Sequence, residues 1–93
     1  MAISRHYLVS GRVQGVGFRQ FTVAAAQKER LTGFVENCTD GRVRALAIGE
    51  EFSLARFESL IREGPMGSIV KEVEVTECLD SSSYDNFFIL ESD

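Results

Sequence analysis

The segment GRVQGVGFR at residues 11–19 sets the organisation of this chain. It links a strand-like run to the start of a helix, and in such a link successive backbone N–H groups can converge on an anion with the help of the helix dipole. Gly15 and Gly17 permit backbone angles and a close approach that side chains would block. Arg19 falls in the first helical turn, where a cation is unfavourable for the dipole unless a bound anion compensates it. The segment therefore predicts a cradle for a phosphoryl group.

Two better-known phosphate motifs do not fit this segment. No Gly-Lys-Ser/Thr follows, as a Walker loop requires, and the third glycine of the dinucleotide pattern is missing. The loop alone also leaves open a purely structural alternative, a glycine-rich tight turn with a surface arginine.

Hydrophobic periodicity on either side of the loop predicts two helices among five strands. Asp40-Gly41 between two strand-like runs indicates a hairpin, and Gly64-Pro65 ends the second helix. The predicted strands are 5–10, 32–38, 42–49, 69–76 and 87–90, and the predicted helices are 18–30 and 52–63.

This order is the split β-α-β pattern of an α+β, ferredoxin-like sandwich. It implies one mostly antiparallel sheet with two helices on one face and a short extra C-terminal strand. The first two strands run parallel with the third between them, so their C-terminal ends lie at the same edge of the sheet. The glycine loop and Asn37, which ends the second strand, are therefore expected close together. Asn37 could instead support the hairpin, since Asn often bonds to turn backbone.

The same topology separates the two cysteines. Cys38 and Cys78 are expected at opposite edges, roughly 20 Å or more apart for strands of about seven residues. That distance is too long for a disulfide.

Two charged residues fit their predicted elements poorly. The apolar face of the first helix comprises Phe18, Phe21 or Thr22, and Ala25. Glu29 falls on this face. The apolar face of the fourth strand comprises Ile69, Val73 and Val75, and Lys71 interrupts it.

The composition of the 93 residues predicts one domain, with a hydrophobic content of 44% that is enough for a single core. The net charge of −4 disfavours binding to nucleic acid or anionic lipid, although residues 1–44 carry net +4. No apolar run approaches the ~20 residues that cross a bilayer, and residues 1–12 lack the apolar stretch of a secretory signal. We therefore expect a cytoplasmic protein that binds neither nucleic acid nor membrane.

The titratable side chains do not indicate a metal or nucleophilic mechanism. One histidine and two cysteines without ligand spacing disfavour a zinc site. His6 lies early in the first strand, away from the loop, and no titratable base is placed to activate Cys38. Both are expected to be structural, and Phe87-Phe88 is expected to be core rather than a stacking platform.

Several motifs together resemble the acylphosphatase family over nearly the whole chain. They are GRVQGVGFRQF at 11–21, Gly33-Phe34-Val35 followed by Asn37, Asp40-Gly41, Gly64-Pro65 and FFIL at 87–90. The resemblance implies the same ferredoxin-like fold and hydrolysis of the carboxyl–phosphate anhydride of an acyl phosphate, with no metal or other cofactor. The family's catalytic arginine falls on Arg19 and its catalytic asparagine on Asn37. Its phosphate-binding loop falls on Gln14, Gly15, Val16, Gly17 and Phe18.

Three departures from the family pattern lie outside the catalytic positions. Glu29-Arg30 stands where an apolar residue and a glycine are frequent, and the loss of a helix C-cap glycine is expected to reduce stability. Glu36 replaces a usually basic residue, although strand alternation points it away from Asn37. Phe34 stands where tryptophan is common.

We expect a monomer that acts on a small acyl phosphate and releases inorganic phosphate. Two alternatives stay open. A non-catalytic ferredoxin-like module could bind RNA by stacking bases on sheet aromatics, although the acidic charge and the lack of an RNP-like pattern count against it. A carbamoyl-phosphate-handling domain is the other, since similar domains occur at the N-terminus of larger proteins that mature hydrogenases.

Overall fold

The computed structural model describes residues 2–78 and 83–91. Within them, seven elements form a single sheet with two helices. They are β1 (Ile3–Arg12), α1 (Phe18–Lys28), β2 (Thr32–Asn37), β3 (Val43–Gly49), α2 (Glu51–Glu63), β4 (Ile69–Cys78) and β5 (Phe87–Ile89).

The strand order is β4-β1-β3-β2-β5. β3 pairs antiparallel with both β1 and β2, so β1 and β2 are parallel to each other. β4 is antiparallel to β1, while β5 adds to the far side of β2 in parallel. The predicted ferredoxin-like arrangement is confirmed, and it brings the ends of β1 and β2 to the same edge.

The core lies between one face of the sheet and the two helices. Alternation along the strands directs Tyr7, Val9 and Val35 into it, and all three are essentially inaccessible to solvent. The ring of Phe57 on α2 meets Tyr7 edge-on, with centroids 5.3 Å apart. Phe18, the first residue of α1, is also fully enclosed, so packing fixes the start of this helix where the glycine loop ends.

α1 ends two residues earlier than predicted. Arg30 has a φ of 60°, the one positive φ at a non-glycine position in the described ranges, and the Leu31 N–H closes the helix end on the Ala26 carbonyl at 2.9 Å. A helix end of this kind usually carries glycine at the left-handed position, which Arg30 occupies here. The expected loss of stability stays a prediction. Thr22 occupies the buried stripe and donates its hydroxyl to the Phe18 carbonyl at 2.8 Å.

The predicted apolar face of β4 is wrong at Ile69. The pairing with β1 steps from Ser10–Glu72 to Gly11–Val70 and leaves Lys71 as an extra residue. Such a bulge shifts the alternation of side chains, so Val70 rather than Ile69 packs against the core. Val73 is buried as expected, whereas Ile69 and Val75 are exposed on this edge strand.

The two cysteines lie at opposite edges of the sheet, as the topology predicts. Cys78 pairs with Ser4 at the beginning of β1, whereas Cys38 follows the end of β2. Both are free thiols.

Candidate active site

The glycine loop is held to the core at both ends. Val13 and Phe18 are buried, and Val16 packs partly against the same core. Gly15 and Gly17 have left-handed φ values of 75° and 78°. A Cβ at Gly15 would meet nothing within 4 Å, and one at Gly17 would meet only the Gln20 Oε1 atom at 3.8 Å. These glycines are therefore required by the path of the backbone, and the space beside them is open.

The start of α1 carries no side-chain cap. Gly17 is the N-cap residue, no side chain bonds to the first turn, and that turn has no acidic residue. The first N–H groups of a helix have no intrahelical acceptor. At this helix they are positioned to bind an external anion.

Arg19 differs from the other partly buried arginines of the described residues. Arg42 pairs with Asp40 at 2.7 Å, Arg44 pairs with Glu36 at 3.2 Å, and Arg5 lies 3.9 Å from Glu51. Arg19 is partly buried but forms no ion pair or side-chain hydrogen bond with any described residue. A guanidinium in the first turn of a helix also opposes the dipole, so this charge is compensated by nothing in the described fold.

Asn37 is the last residue of β2, opposite Val43 of β3, and its Oδ1 atom is shielded from solvent. The turn that follows is tightly bonded. The Cys38 N–H donates to the Arg42 carbonyl at 2.8 Å, and Arg42 donates from its backbone and its guanidinium to the Asp40 carboxylate. These hydrogen bonds from Arg42 hold the pKa of Asp40 below its ordinary value.

The loop and this turn are joined by one side chain. The Nε2 atom of Gln14 donates to the Cys38 carbonyl at 2.8 Å and to the Arg42 carbonyl at 2.9 Å. The structure thus brings the loop of residues 14–18 to the turn that begins directly after Asn37, as the strand order predicts.

The comparisons with known proteins agree with this geometry. Residues 5–89 match the family model described as Acylphosphatase. The chain belongs to the acylphosphatase family. An acylphosphatase of Archaeoglobus fulgidus is 42% identical over 85 residues, which cover 91% of this chain and 94% of that protein.

Solved structures extend the similarity to the acylphosphatase fold itself. The crystal structure of an acylphosphatase from Bacillus subtilis matches with a TM-score of 0.92 and 39% identity over 96% of this chain and 99% of that one. The structure of T. kodakarensis HypF matches with a TM-score of 0.85 and 30% identity; the match covers 100% of this chain and 12% of HypF. The expected membership of a hydrolase family and the expected fold are confirmed.

His6 lies within β1 opposite Leu46 of β3, away from the loop that follows the strand. It lies on the helix-free face of the sheet, where it lines a cavity of about 510 Å³ with residues such as Phe34 and Tyr84. Its Nε2 atom is 3.4 Å from the Arg44 guanidinium. Burial and the charge of Arg44 lower the pKa of His6, which favours the neutral ring.

Two further residues, Glu36 and Cys38, lie directly beside Asn37 in the chain. Burial raises the pKa of the Cys38 thiol, which favours the unreactive protonated form. Glu36 bonds to Arg44, whose guanidinium lies over the Phe34 ring on the helix-free face. This contact agrees with the expectation that Glu36 points away from Asn37.

Sequence reasoning missed two features of the molecule. Phe87 is buried as expected, but Phe88 packs against Phe34 and Tyr84 in an aromatic cluster with centroids 6.0–6.4 Å apart. From the sequence, Gln14 is predicted only as a backbone donor of the loop, without a role for its side chain. The one signal available was a long amide inside a glycine loop, and its partners are 24 and 28 residues away.

Neither a metal cluster nor a membrane span is found where the structure describes the chain. In residues 2–78 and 83–91, no three His, Cys, Asp or Glu side chains group as metal ligands. No helix in these ranges is long and apolar enough to cross a membrane.

Proposed function

We propose that this chain is an acylphosphatase, which hydrolyses the carboxyl–phosphate anhydride of an acyl phosphate to a carboxylate and inorganic phosphate. The observation that carries the proposal is the start of α1. There, a helix end without a side-chain cap and the partly buried Arg19, which pairs with no described residue, lie beside the loop of residues 14–18. Three sources of positive potential converge there: the dipole, the loop N–H groups and the guanidinium. A phosphoryl group supplies the missing negative charge.

The first step is binding of the phosphoryl group. The N–H groups of Gln14, Gly15, Val16, Gly17 and Phe18 donate to its oxygens, and Arg19 donates two parallel bonds from its planar guanidinium. Phosphoryl transfer depends mainly on position and on stabilisation of charge. The open space beside Gly15 and Gly17 leaves room for these oxygens.

The second step is attack by water. Asn37 accepts a hydrogen bond from the water and directs it in line at phosphorus. The new P–O bond forms as the bond to the carboxyl oxygen breaks, and the electron pair leaves with the carboxylate. Its parent acid has a pKa of about 4, by analogy with Asp and Glu, so it departs without a general acid. The substrate phosphate takes the proton of the water, and no histidine or carboxylate base is required.

A carbamoyl phosphate substrate is the second candidate, because the sequence resembles domains at the N-terminus of larger carbamoyl-phosphate-handling proteins. Carbamoyl phosphate presents the same phosphoryl group to the loop and differs only in the leaving acid. Comparison of kcat/KM for acetyl phosphate and carbamoyl phosphate distinguishes the two substrates.

A single domain, a monomeric state and a cytoplasmic location stay predictions from the sequence.

The experiment that tests the function is phosphate release from acetyl phosphate by the purified chain, with and without a chelator. We expect turnover that the chelator does not change and competitive inhibition by inorganic phosphate. The turnover number should stay nearly constant between about pH 5 and 8, apart from ionisation of the substrate phosphate near pH 6, because the proposed mechanism uses no general acid or base from the protein.

His6→Ala is the matched control for the pH profile. His6 is the one histidine in the sequence, and histidine is the residue type whose unperturbed pKa lies in the neutral range. The turnover and pH profile of this variant should equal those of the unmodified chain. A bell-shaped profile that disappears in His6→Ala, or inactivation by chelator that added metal reverses, would contradict the mechanism.

A further inference from the structure

The side chain of Gln14 connects two parts of the sheet that no strand pairing connects. β3 lies between β1 and β2, so the loop after β1 and the turn after β2 are not joined by a backbone ladder. The Gln14 amide spans this gap with bonds of 2.8 and 2.9 Å to the Cys38 and Arg42 carbonyls. Gln14 is thereby held at hydrogen-bonding distance from Cys38 and Arg42, which lie 24 and 28 positions later in the chain.

Both carbonyls already have a backbone partner within the turn. The Arg42 carbonyl accepts from the Cys38 N–H at 2.8 Å, and the Cys38 carbonyl accepts from the Gly41 N–H at 3.2 Å. Each carbonyl oxygen has two lone pairs, so each can also accept a second hydrogen bond, which the Gln14 amide donates. The turn therefore keeps its shape without Gln14, while its position relative to the loop depends on the amide.

Glutamine fits this role for reasons of length and chemistry. Its terminal NH₂ group has two hydrogens, one for each carbonyl. Glutamate of the same length has no hydrogen to donate when ionised and would face two carbonyl oxygens, while asparagine is one methylene shorter. The orientation of the amide follows from its partners, because both of them are acceptors.

We infer that Gln14 is a positioning residue that sets the distance between the phosphate cradle and Asn37. The inference rests on the proposed function, in which the loop and Arg19 hold the phosphoryl group and Asn37 holds the water. The amide bonds to the residue next to Asn37, whereas its own backbone belongs to the cradle. A shift between these two groups changes the line of attack without changing either group, and a displacement of about 1 Å can lower a rate by ~10²-fold.

The variant that tests this inference is Gln14→Met, which keeps the approximate length and removes both donors. We expect kcat to fall by about 10-fold to 10²-fold, where the upper figure is the effect of a displacement of about 1 Å. The inhibition constant of inorganic phosphate should change by less than about 3-fold, because the loop amides and Arg19 remain. Gln27→Met, the same change at an exposed position of α1, is the matched control and should leave both constants unaltered.

A double-mutant cycle with Asn37→Ala separates positioning from a general structural role. If Gln14 acts through Asn37, Gln14→Met should lower kcat by less than about 2-fold in the Asn37→Ala background, because coupled residues are not additive. An equal loss of kcat in both backgrounds, or a loss of phosphate binding instead of kcat, overturns the inference. Gln14→Asn, which keeps one donor group on a shorter stem, provides the same cycle if Gln14→Met does not fold.

The result for Asn37→Ala alone distinguishes the two levels of the proposal. Normal turnover by this single variant contradicts the proposed role of Asn37 and with it the role of Gln14. Absence of acetyl phosphate turnover by the unmodified chain contradicts the proposed function itself. Reduced turnover by Asn37→Ala combined with an additive effect of Gln14→Met contradicts the inference about Gln14 and leaves the proposed function intact.

Discussion

The two ends of α1 carry the same electrostatic mismatch and resolve it differently. The helix dipole places partial positive charge at the N-terminus and partial negative charge at the C-terminus. Arg19 lies in the first turn and Glu29 is the C-cap residue, so each end holds a side chain of the sign that the dipole disfavours. Both residues are also at least partly shielded from water.

The C-terminal end is neutralised within the fold. Glu29 is 8% exposed, and its Oε1 atom accepts a hydrogen bond from the Arg56 Nε–H at 2.6 Å. At the other end, no described residue forms an ion pair with Arg19. A disfavoured charge at a helix end is thus not by itself a sign of function. What distinguishes the two ends is whether the described fold supplies the partner, and at Arg19 we propose that the substrate supplies it.

Among the variants that test this comparison, Arg19→Lys should have the largest effect, and that effect is on activity. Lysine keeps the charge but loses the planar fork that binds phosphate through two parallel bonds. We expect kcat/KM for acetyl phosphate to fall by about 10³-fold or more, at or beyond the upper range for loss of one positioned donor. The thermal unfolding midpoint should not change, because no described residue pairs with Arg19.

Arg12→Lys is the control for this variant, since Arg12 precedes the same loop but is exposed. It should retain nearly full activity. Near-normal turnover by Arg19→Lys would show that the N-terminal end of α1 does not hold the substrate.

Asn37→Ala should give the next largest effect, on kcat rather than on binding. Loss of the group that orients the water is expected to reduce turnover by roughly 10²-fold, the scale for one positioned polar group. Inorganic phosphate should inhibit as before, because it occupies the cradle and not the site of the water. Asn86→Ala, at an exposed asparagine, is the control. If Asn37→Ala lost phosphate binding and kept turnover, the assigned roles would be reversed.

The contrast between the two helix ends also explains what the sequence could predict. The order of elements follows from periodicity and turn residues, and the ends of β1 and β2 meet for topological reasons, so the glycine loop and the turn after β2 could be placed together in advance. Glu29 was recognised as a misfit, but its partner Arg56 is 27 residues away, and no local pattern identifies that pair. The bonds of Gln14 and the bulge at Lys71 were missed for the same reason: both depend on distances between strands.

Arg56→Ala tests the C-terminal end, and its effect should be on stability alone. It leaves the buried carboxylate of Glu29 without its partner, which costs about 1–3 kcal/mol of unfolding free energy. Arg62→Ala is the matched control, because Arg62 pairs with Glu58 one turn away on the exposed side of α2, a contact worth about 0.3–0.5 kcal/mol. Urea unfolding measures both, and kcat should be unchanged in each. An equal cost for the two variants would show that the Glu29 pair is an ordinary surface contact.

Arg30→Gly should give the smallest effect and the opposite sign. Arg30 holds a φ of 60° at the end of α1, a conformation that costs an L-residue roughly 1–2 kcal/mol, whereas glycine adopts it freely. Glycine also loses about 0.5–1 kcal/mol more backbone entropy on folding, so we expect a net stabilisation of at most about 1.5 kcal/mol. Lys28→Gly, two residues earlier within the helix, should instead destabilise by about 1 kcal/mol. Turnover should be unaffected in both, because this end of the helix is closed by the fold and not by a ligand. Destabilisation by Arg30→Gly of the size seen for Lys28→Gly would show that Arg30 is not held in the left-handed region.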